Sequence, residues 1–407
     1  MTRWGRARLS LLCVAILCGV GCGARTGLLV DGERSDAGPE DDADLYGEFP
    51  CTYSRVGELQ PLRRDVVSSD PDIAWGQNRL GSTVSNDPVL PRVGTSVCDL
   101  EPLSVICTAN DTGALGPGRA RIAWDGEAFE VCWADRTALA VVELQRYAEE
   151  GTPLWSTPRT VVEARGSCRE LVWSGGHSLV GISSTGGVLN HVTHVYEMDR
   201  EGSLGTEILD VPGYHSEDAP FALAGDDEVA AAAWVDTEGL HVRAIQGIPE
   251  SEVSFLVWPA AHHLALALRG TEAGVVWAVD SGETFRVFLT LFELTTGGVS
   301  DQTELGAAPG SLAGVDVVGV PEGFLVAWSE RRGGRHREVV VPTRTHEGPR
   351  VETRQEVVID DSPAVSGSTL SGPSLTYDGL DVYIAVTLID RSDGSPEVYV
   401  QRLACHR

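Results

Sequence analysis

The chain contains no lysine, and its 31 basic residues are all arginine. That absence excludes a Walker lysine, a Schiff-base lysine and a Ser-Lys dyad, and with them several classes of phosphate and covalent chemistry. Asparagine is scarce, occurring only at Asn78, Asn86, Asn110 and Asn190. No Gly-x-Ser-x-Gly elbow, His-Glu-x-x-His pair or dinucleotide glycine motif after a strand occurs, and no Cys-x-x-Cys pair offers itself to zinc. No catalytic residue, cofactor site or metal site can therefore be assigned from motifs. Positive charge is also in deficit. Against 59 acidic residues the formal charge is −28 and the pI about 4.6. A surface this acidic repels phosphates, which argues against nucleic acid as a partner and leaves cations or plain solvation.

Long apolar runs are missing too. The longest lies at the N-terminus, Leu9 to Val20, interrupted only by Ser10 and Gly19 and preceded by Arg3, Arg6 and Arg8. It is too short to span a bilayer and has the length of a signal-peptide core. It ends Gly19-Val20-Gly21-Cys22. Removing residues 1–21 leaves a chain with charge near −31. The segment 22–50 that follows is polar and acidic, with Asp36-Ala-Gly-Pro-Glu-Asp-Asp-Ala-Asp44 at its centre. Such a stretch has too little apolar surface to bury, and we read it as a tether. Residues 51–407 form the folded domain.

What the domain has in abundance is short apolar runs divided by Gly, Asp, Ser and Pro, an all-β pattern. The runs repeat. Ile73-Ala-Trp75, Ile122-Ala-Trp124 and Leu171-Val-Trp173 recur 49 residues apart. Phe221 to Asp226, Leu264 to Gly270, Val317 to Gly323 and Leu375 to Gly379 continue the series at looser spacing. Each marker leads into a turn such as Asp125-Gly126 or Asp378-Gly379, and then into an apolar phrase ending near Trp and an acid, most fully Gly323-Phe-Leu-Val-Ala-Trp-Ser-Glu330. A third strand follows (Ala138–Tyr147, His191–Met198, Leu240–Ile245, Phe285–Leu294, Arg337–Val341, Val398–Leu403), and a fourth, as at Thr160–Glu163 and Glu356–Ile359. Four strands in about fifty residues, repeated, make a β-propeller of four-stranded blades. Seven blades fit, with six as the alternative because the unit between Trp75 and Gly118 is degenerate. Ile182 and Thr387 stand where two repeats would carry Trp. After Leu403 too little chain remains for a fourth strand, so an N-terminal strand is expected to close the last blade, and Asp65 to Ser68 reads like the other fourth strands.

Two resemblances add to this reading. Gly19-Val20-Gly21-Cys22 resembles a bacterial lipobox, although Gly19 replaces the usual aliphatic residue. It implies lipidation of Cys22 and anchoring of an exported protein to a membrane. Gly23 after the cysteine implies the outer membrane, with the head facing the periplasm or the cell surface. The phrases Trp133-Ala-Asp-Arg136 and Trp328-Ser-Glu-Arg-Arg332 resemble the repeats of secreted bacterial β-propeller lipoproteins, which implies a fold and a location but no activity. The expected function is a binding module for an extracytoplasmic protein, peptide or glycan. The alternatives are an extracellular hydrolase of glycoside hydrolase type, with its site at the central channel, and a structural envelope component. Carboxylates with arginines around the channel would favour the enzyme, and an apolar or aromatic rim the binding platform.

After Cys22 six cysteines remain, Cys51, Cys98, Cys107, Cys132, Cys168 and Cys405, an even count that predicts disulfides in an exported protein. The pairing is open, with Cys51–Cys405 suited to lock the ring. Asp280-Ser-Gly-Glu-Thr-Phe285 resembles the Asp-box of sialidase-type propellers, which is a structural turn. His191, His194 and Glu197 are spaced by three along an expected strand and so face apart, as do the neighbours His262 and His263. Asp390-Arg-Ser-Asp-Gly394 reads as a polar hairpin turn or a calcium loop.

Overall fold

The computed structural model describes residues 52–63, 71–85, 92–101, 104–115, 120–135, 141–162, 166–185, 191–212, 220–249, 252–255, 261–345, 351–353, 356–363, 371–389 and 396–406. All regular structure among them is strand. The strands form seven antiparallel sheets, six built on four consecutive strands and the seventh on the last three strands together with the N-terminal one. The inner strands are Asp72–Trp75, Ala120–Trp124, Gly166–Ser174, Phe221–Gly225, His263–Arg269, Ser311–Val320 and Ser374–Tyr377. Each contacts the inner strand of the next blade, and the seventh contacts the first. The molecule is a seven-bladed β-propeller, and the degenerate unit after Trp75 is a complete blade with strands Leu80–Ser85, Arg92–Glu101 and Ser104–Leu115.

The sequence pattern explains the hairpins. At Asp125 the side-chain Oδ1 accepts the backbone N–H groups of Glu127 and Ala128, at 2.8 and 2.6 Å, while Gly126 takes a φ of 87°. Asp378 does the same for Leu380 and Asp381, with Gly379 at 95°. An aspartate can satisfy both donors of the turn, and glycine tolerates the left-handed backbone. The phrase that follows is the second strand, and its apolar residues face neighbouring blades on both sides. Gly323–Arg332 is buried over eight consecutive residues. Its Phe324 packs on Gly274 of the blade before, where a Cβ would meet the ring at 2.7 Å. Phe129 meets Gly81 in the same way. The buried tryptophans find partners for their indole N–H, as at Trp133 with Glu143, Trp277 with Thr290 and Trp328 with Glu330. In the last blade the hairpin register puts Val386, rather than Thr387, at the Trp position.

The ring closes through an N-terminal strand, but by a different segment from the one its sequence pattern singled out. Thr52–Arg63 pairs antiparallel with Pro396–His406, from Thr52 opposite His406 to Arg63 opposite Val398. Asp65 to Ser68 lies outside the described residues. The segment used is hard to read as a strand because it contains Pro61, Gly57 at a φ of 72° and two register shifts. It nevertheless buries Tyr53 and Leu62 in two separate inter-blade cores.

Candidate functional site

The inner strands bring one equivalent residue from each blade to the central channel. These residues are Asp72, Arg121, Glu170, Ala222, Ala265, Asp316 and Ser374. Each is paired across its first hairpin with the residue just before the Trp position, namely Thr83, Cys132, Gly181, Ala233, Val276, Ala327 and Ala385. Five consecutive blades, from the sixth round to the third, carry polar groups here, while blades four and five carry alanine.

The polar arc ties blade to blade. Asp316 Oδ2 accepts the Leu375 N–H of blade seven at 2.6 Å, and its Oδ1 accepts Val317 N–H at 2.8 Å. Ser374 Oγ accepts the Ile73 N–H of blade one and donates to Asp72 Oδ1, both at 3.1 Å. Asp72 Oδ2 accepts the Ile122 N–H of blade two at 2.9 Å. Arg121 Nε donates to Arg169 O of blade three at 2.9 Å and lies 3.2 Å from the Glu170 carboxylate. An inner strand has no sheet neighbour on its channel side, so these side chains take the N–H and C=O groups that would otherwise be buried without partners.

On the N-terminal side of this ring lies a cavity of about 180 Å³. All seven blades line it, with Asp72, Arg121, Glu170 and Asp316 on the polar side and Ala222 and Ala265 opposite. His262 and His263 both contribute to its wall; His262 precedes the strand His263–Arg269, so strand alternation does not separate the two. The cavity is smaller than the usual pocket for a drug-sized molecule, and has room for about six waters or one small polar group. Burial pushes the Asp316 carboxyl up from 3.8 to about 7, against the two N–H donors and with help from the Asp72 and Glu170 charges. Burial also raises Asp72, opposed chiefly by Arg121.

Asp316 holds its proton more tightly folded than unfolded, so its contribution to stability is full below about pH 4 and is lost as pH rises to about 7. The whole loss is roughly 4 kcal/mol at most. Asp316→Asn removes that titration. The stability difference between the native protein and the variant, measured by urea unfolding from pH 4.5 to 7.5, is expected to move against the native protein with rising pH. Parallel curves would show that Asp316 titrates normally.

The other residues singled out by sequence fall away from the channel ring. Cys132 and Cys168 form a disulfide between blades two and three, with Cα atoms 6.1 Å apart. Cys98 and Cys405 are each disulfide-bonded, and the side chains of Cys51 and Cys107 lie outside the described residues. Cys22 and Asp390 to Gly394 also lie outside them. Asp280 binds Gly282 N–H at 2.6 Å and reaches the Leu312 N–H of blade six at 2.7 Å, the structural role expected of an Asp-box. Glu197 faces away from His194, as the spacing of three requires, and Leu179 opposite Glu197 packs toward blade four. His194 instead meets Glu207 and Asp210 of the adjoining strand. No motif marks the ring residues. Their signal is positional, since most of them immediately precede an apolar marker, as Asp72 precedes Ile73 and Arg121 precedes Ile122.

No protein-family model and no curated protein sequence matches the chain. Similar solved structures are diverse. The β-propeller domain of the trilobed protease from Pyrococcus furiosus, which has an open velcro topology, is 9% identical with a TM-score of 0.48, over 82% of this chain and 94% of that one. Hydrazine synthase of Kuenenia stuttgartiensis is 14% identical with a TM-score of 0.47, over 83% and 96%. Aldose sugar dehydrogenase of Streptomyces coelicolor, in its PQQ-bound form, is 12% identical with a TM-score of 0.41, over 88% and 100%. Likeness at this level carries neither fold nor function across. The propeller assignment stands on the seven sheets.

Proposed function

We propose that this protein is an exported, lipid-anchored β-propeller that uses its channel mouth to bind a small polar ligand, or a polar group of a protein, peptide or glycan. The observation that carries this reading is where the chain enters the ring. In blade seven Ser374 lies at the cavity, and Ala385, Val400 and Gln60 follow across the sheet. Tyr377 at the far end aligns with Val382, Leu403 and Arg55. Thr52 lies beyond Arg55, on the face remote from the cavity. A lipid on Cys22, followed by a tether of residues 23–50 that reaches at most roughly 100 Å, would hold that remote face toward the membrane. The channel mouth would then open away from the bilayer.

A specific observation favours a second reading, hydrolysis. The channel does gather carboxylates and arginines, and Asp316, titrating at about 7, has the range of a general acid. We favour binding because both oxygens of Asp72 and both of Asp316 already accept hydrogen bonds, three of the four from a neighbouring blade. One experiment separates the readings. Ala222→Trp and Ala265→Trp fill the cavity without touching a polar tie, whereas Asp316→Asn keeps the cavity and removes the acid. Screening the full-length lipoprotein on glycan and peptide arrays is expected to yield a ligand whose binding is lost in the two Trp variants and kept in Asp316→Asn. Turnover of an arrayed glycan that Asp316→Asn abolishes would support the hydrolase instead. Binding that survives both Trp variants would remove the channel from either reading. Retention of Cys22→Ser in the detergent phase would remove the anchor.

A further inference from the structure

The outer half of blade three carries a cluster independent of the channel. His191–Met198 and Leu204–Pro212 pair antiparallel, with His194 opposite Asp210 and Tyr196 opposite Glu207. Positions 207 and 210 are three apart, and in a regular strand they would face opposite ways. A bulge intervenes. Val195 pairs with Leu209 and Tyr196 with Glu207, so Ile208 has no register partner. Ile208 and Leu209 both pack toward blade four, and Glu207 and Asp210 are left on the same face as His194 and Tyr196. The bulge thus assembles a set of side chains that strand alternation alone would split.

The geometry of that set is compact. His194 Nδ1 lies 3.2 Å from Glu207 Oε1 and 3.8 Å from Asp210 Oδ1, and one ligand atom from each of the three residues lies within 4.8 Å of the others. The Tyr196 hydroxyl is bonded to Glu207 and fixes that carboxylate from the side. His194 and Tyr196 lie in ring contact at 5.9 Å, so the imidazole is backed by a half-buried aromatic ring. Around a tetrahedral zinc, with bonds of about 2.0–2.2 Å, ligand atoms stand about 3.4 Å apart. Two of the three separations already sit near that value, and the third is no more than 4.8 Å.

We infer that His194, Glu207 and Asp210 form a binding site for one divalent d-block cation, of which zinc is the probe of choice. One imidazole nitrogen with two carboxylates suits such an ion better than magnesium or calcium, which take oxygen ligands alone. Three protein ligands leave a coordination position for water or for a group on a partner, and the Tyr196–Glu207 bond supplies the outer-shell support that metal ligands commonly have. The site lies on the face of the blade turned toward blade two, at the rim of the propeller. It is separate from the ring of Asp72, Arg121, Glu170 and Asp316.

The test is titration of the metal-free, full-length protein with Zn²⁺ by isothermal calorimetry, at an ionic strength that suppresses diffuse binding to the acidic surface. We expect one ion per chain with a micromolar Kd. His194→Ala and Asp210→Asn should each weaken binding by about 10- to 100-fold, while His177→Ala, at an exposed turn of the same blade, leaves it unchanged. Substitution with Co²⁺ should give visible d–d absorption that His194→Ala abolishes. The replaced residues are half-buried or exposed, and circular dichroism confirms that each variant folds. Absence of a stoichiometric site, or a site that survives both His194→Ala and Asp210→Asn, would overturn the inference.

Discussion

A chain lacking Thr52–Arg63 is expected to aggregate or to associate with further copies. This strand pairs with Pro396–His406 along almost its whole length. It buries Tyr53 against Leu325, Ile384 and their neighbours, and Leu62 against Ile73, Val398 and Val400. Gln401 Nε2 donates to Val56 O at 2.9 Å, and Arg55 Nε donates back to Gln401 Oε1 at 3.3 Å. Loss of the two side chains alone costs about 3–6 kcal/mol of apolar burial, which is a large part of a domain's usual net stability of 5–15 kcal/mol. The deletion also bares an eleven-residue edge strand, a template for pairing with another copy. Size-exclusion chromatography with light scattering should show aggregates or oligomers. The double variant Tyr53→Ser, Leu62→Ser keeps the strand and isolates the packing. It should unfold at a markedly lower urea midpoint without baring the edge. A deletion variant that keeps the full-length protein's size in solution and its stability would mean that the ring does not depend on this closure.

Replacing Arg146 by Met is expected to cost about 3–5 kcal/mol, because it strands two buried carboxylates. Asp125 and Glu130 are fully buried, and Arg146 is nearly so. The guanidinium binds Asp125 through Nη2, lies 3.3 Å from Glu130 through Nε, and donates from Nη1 to Arg200 O of blade three at 3.2 Å. Ser178, also of blade three, donates to the other Glu130 oxygen. Burial holds the Glu130 carboxyl up at about 7 even with Ser178 and Arg146 beside it. Without Arg146 the acid should stay protonated, and the variant should recover stability as pH falls toward 5. Adding Glu130→Gln should restore part of the loss at neutral pH, since a buried Gln is neutral without taking up a proton. Thermal unfolding of the three proteins at pH 5 and 8 measures this. A loss below 1 kcal/mol for Arg146→Met would show that water reaches the cluster.

The two predictions differ in how well their residues can be read from sequence. Asp125 announces itself, because Asp-Gly between apolar runs is a turn signal whatever surrounds it. The strands it joins follow from local alternation, as does His191–Met198. Arg146 reads only as a charged position in a third strand, since its partners lie in another blade. Thr52–Arg63 is harder still, because Pro61, Gly57 and two register shifts hide its extended backbone. Asp65-Val-Val is the better local match, yet local likeness does not decide which segment reaches Pro396–His406 when the ring closes.

The candidate site divides in the same way. The 49-residue period, the hairpin turns and the Trp phrases determined the propeller and its four-stranded blades, because strand alternation and turn chemistry are local properties of the chain. The residue before each marker was visible but carried no meaning until seven inner strands were arranged around one axis. Only then do Asp316, Ser374, Asp72 and Arg121 become successive ties between blades, and Ala222 and Ala265 the open side of a cavity. His194, Glu207 and Asp210 depend on tertiary structure even more directly. A single bulge at Ile208 reverses the faces that a period of two assigns, and no composition or spacing signals it. The sequence by itself thus determined the repeating unit, whose interactions span a few residues. The channel, the closure and the bulged cluster were decided by packing between blades, where the interacting groups lie far apart along the chain.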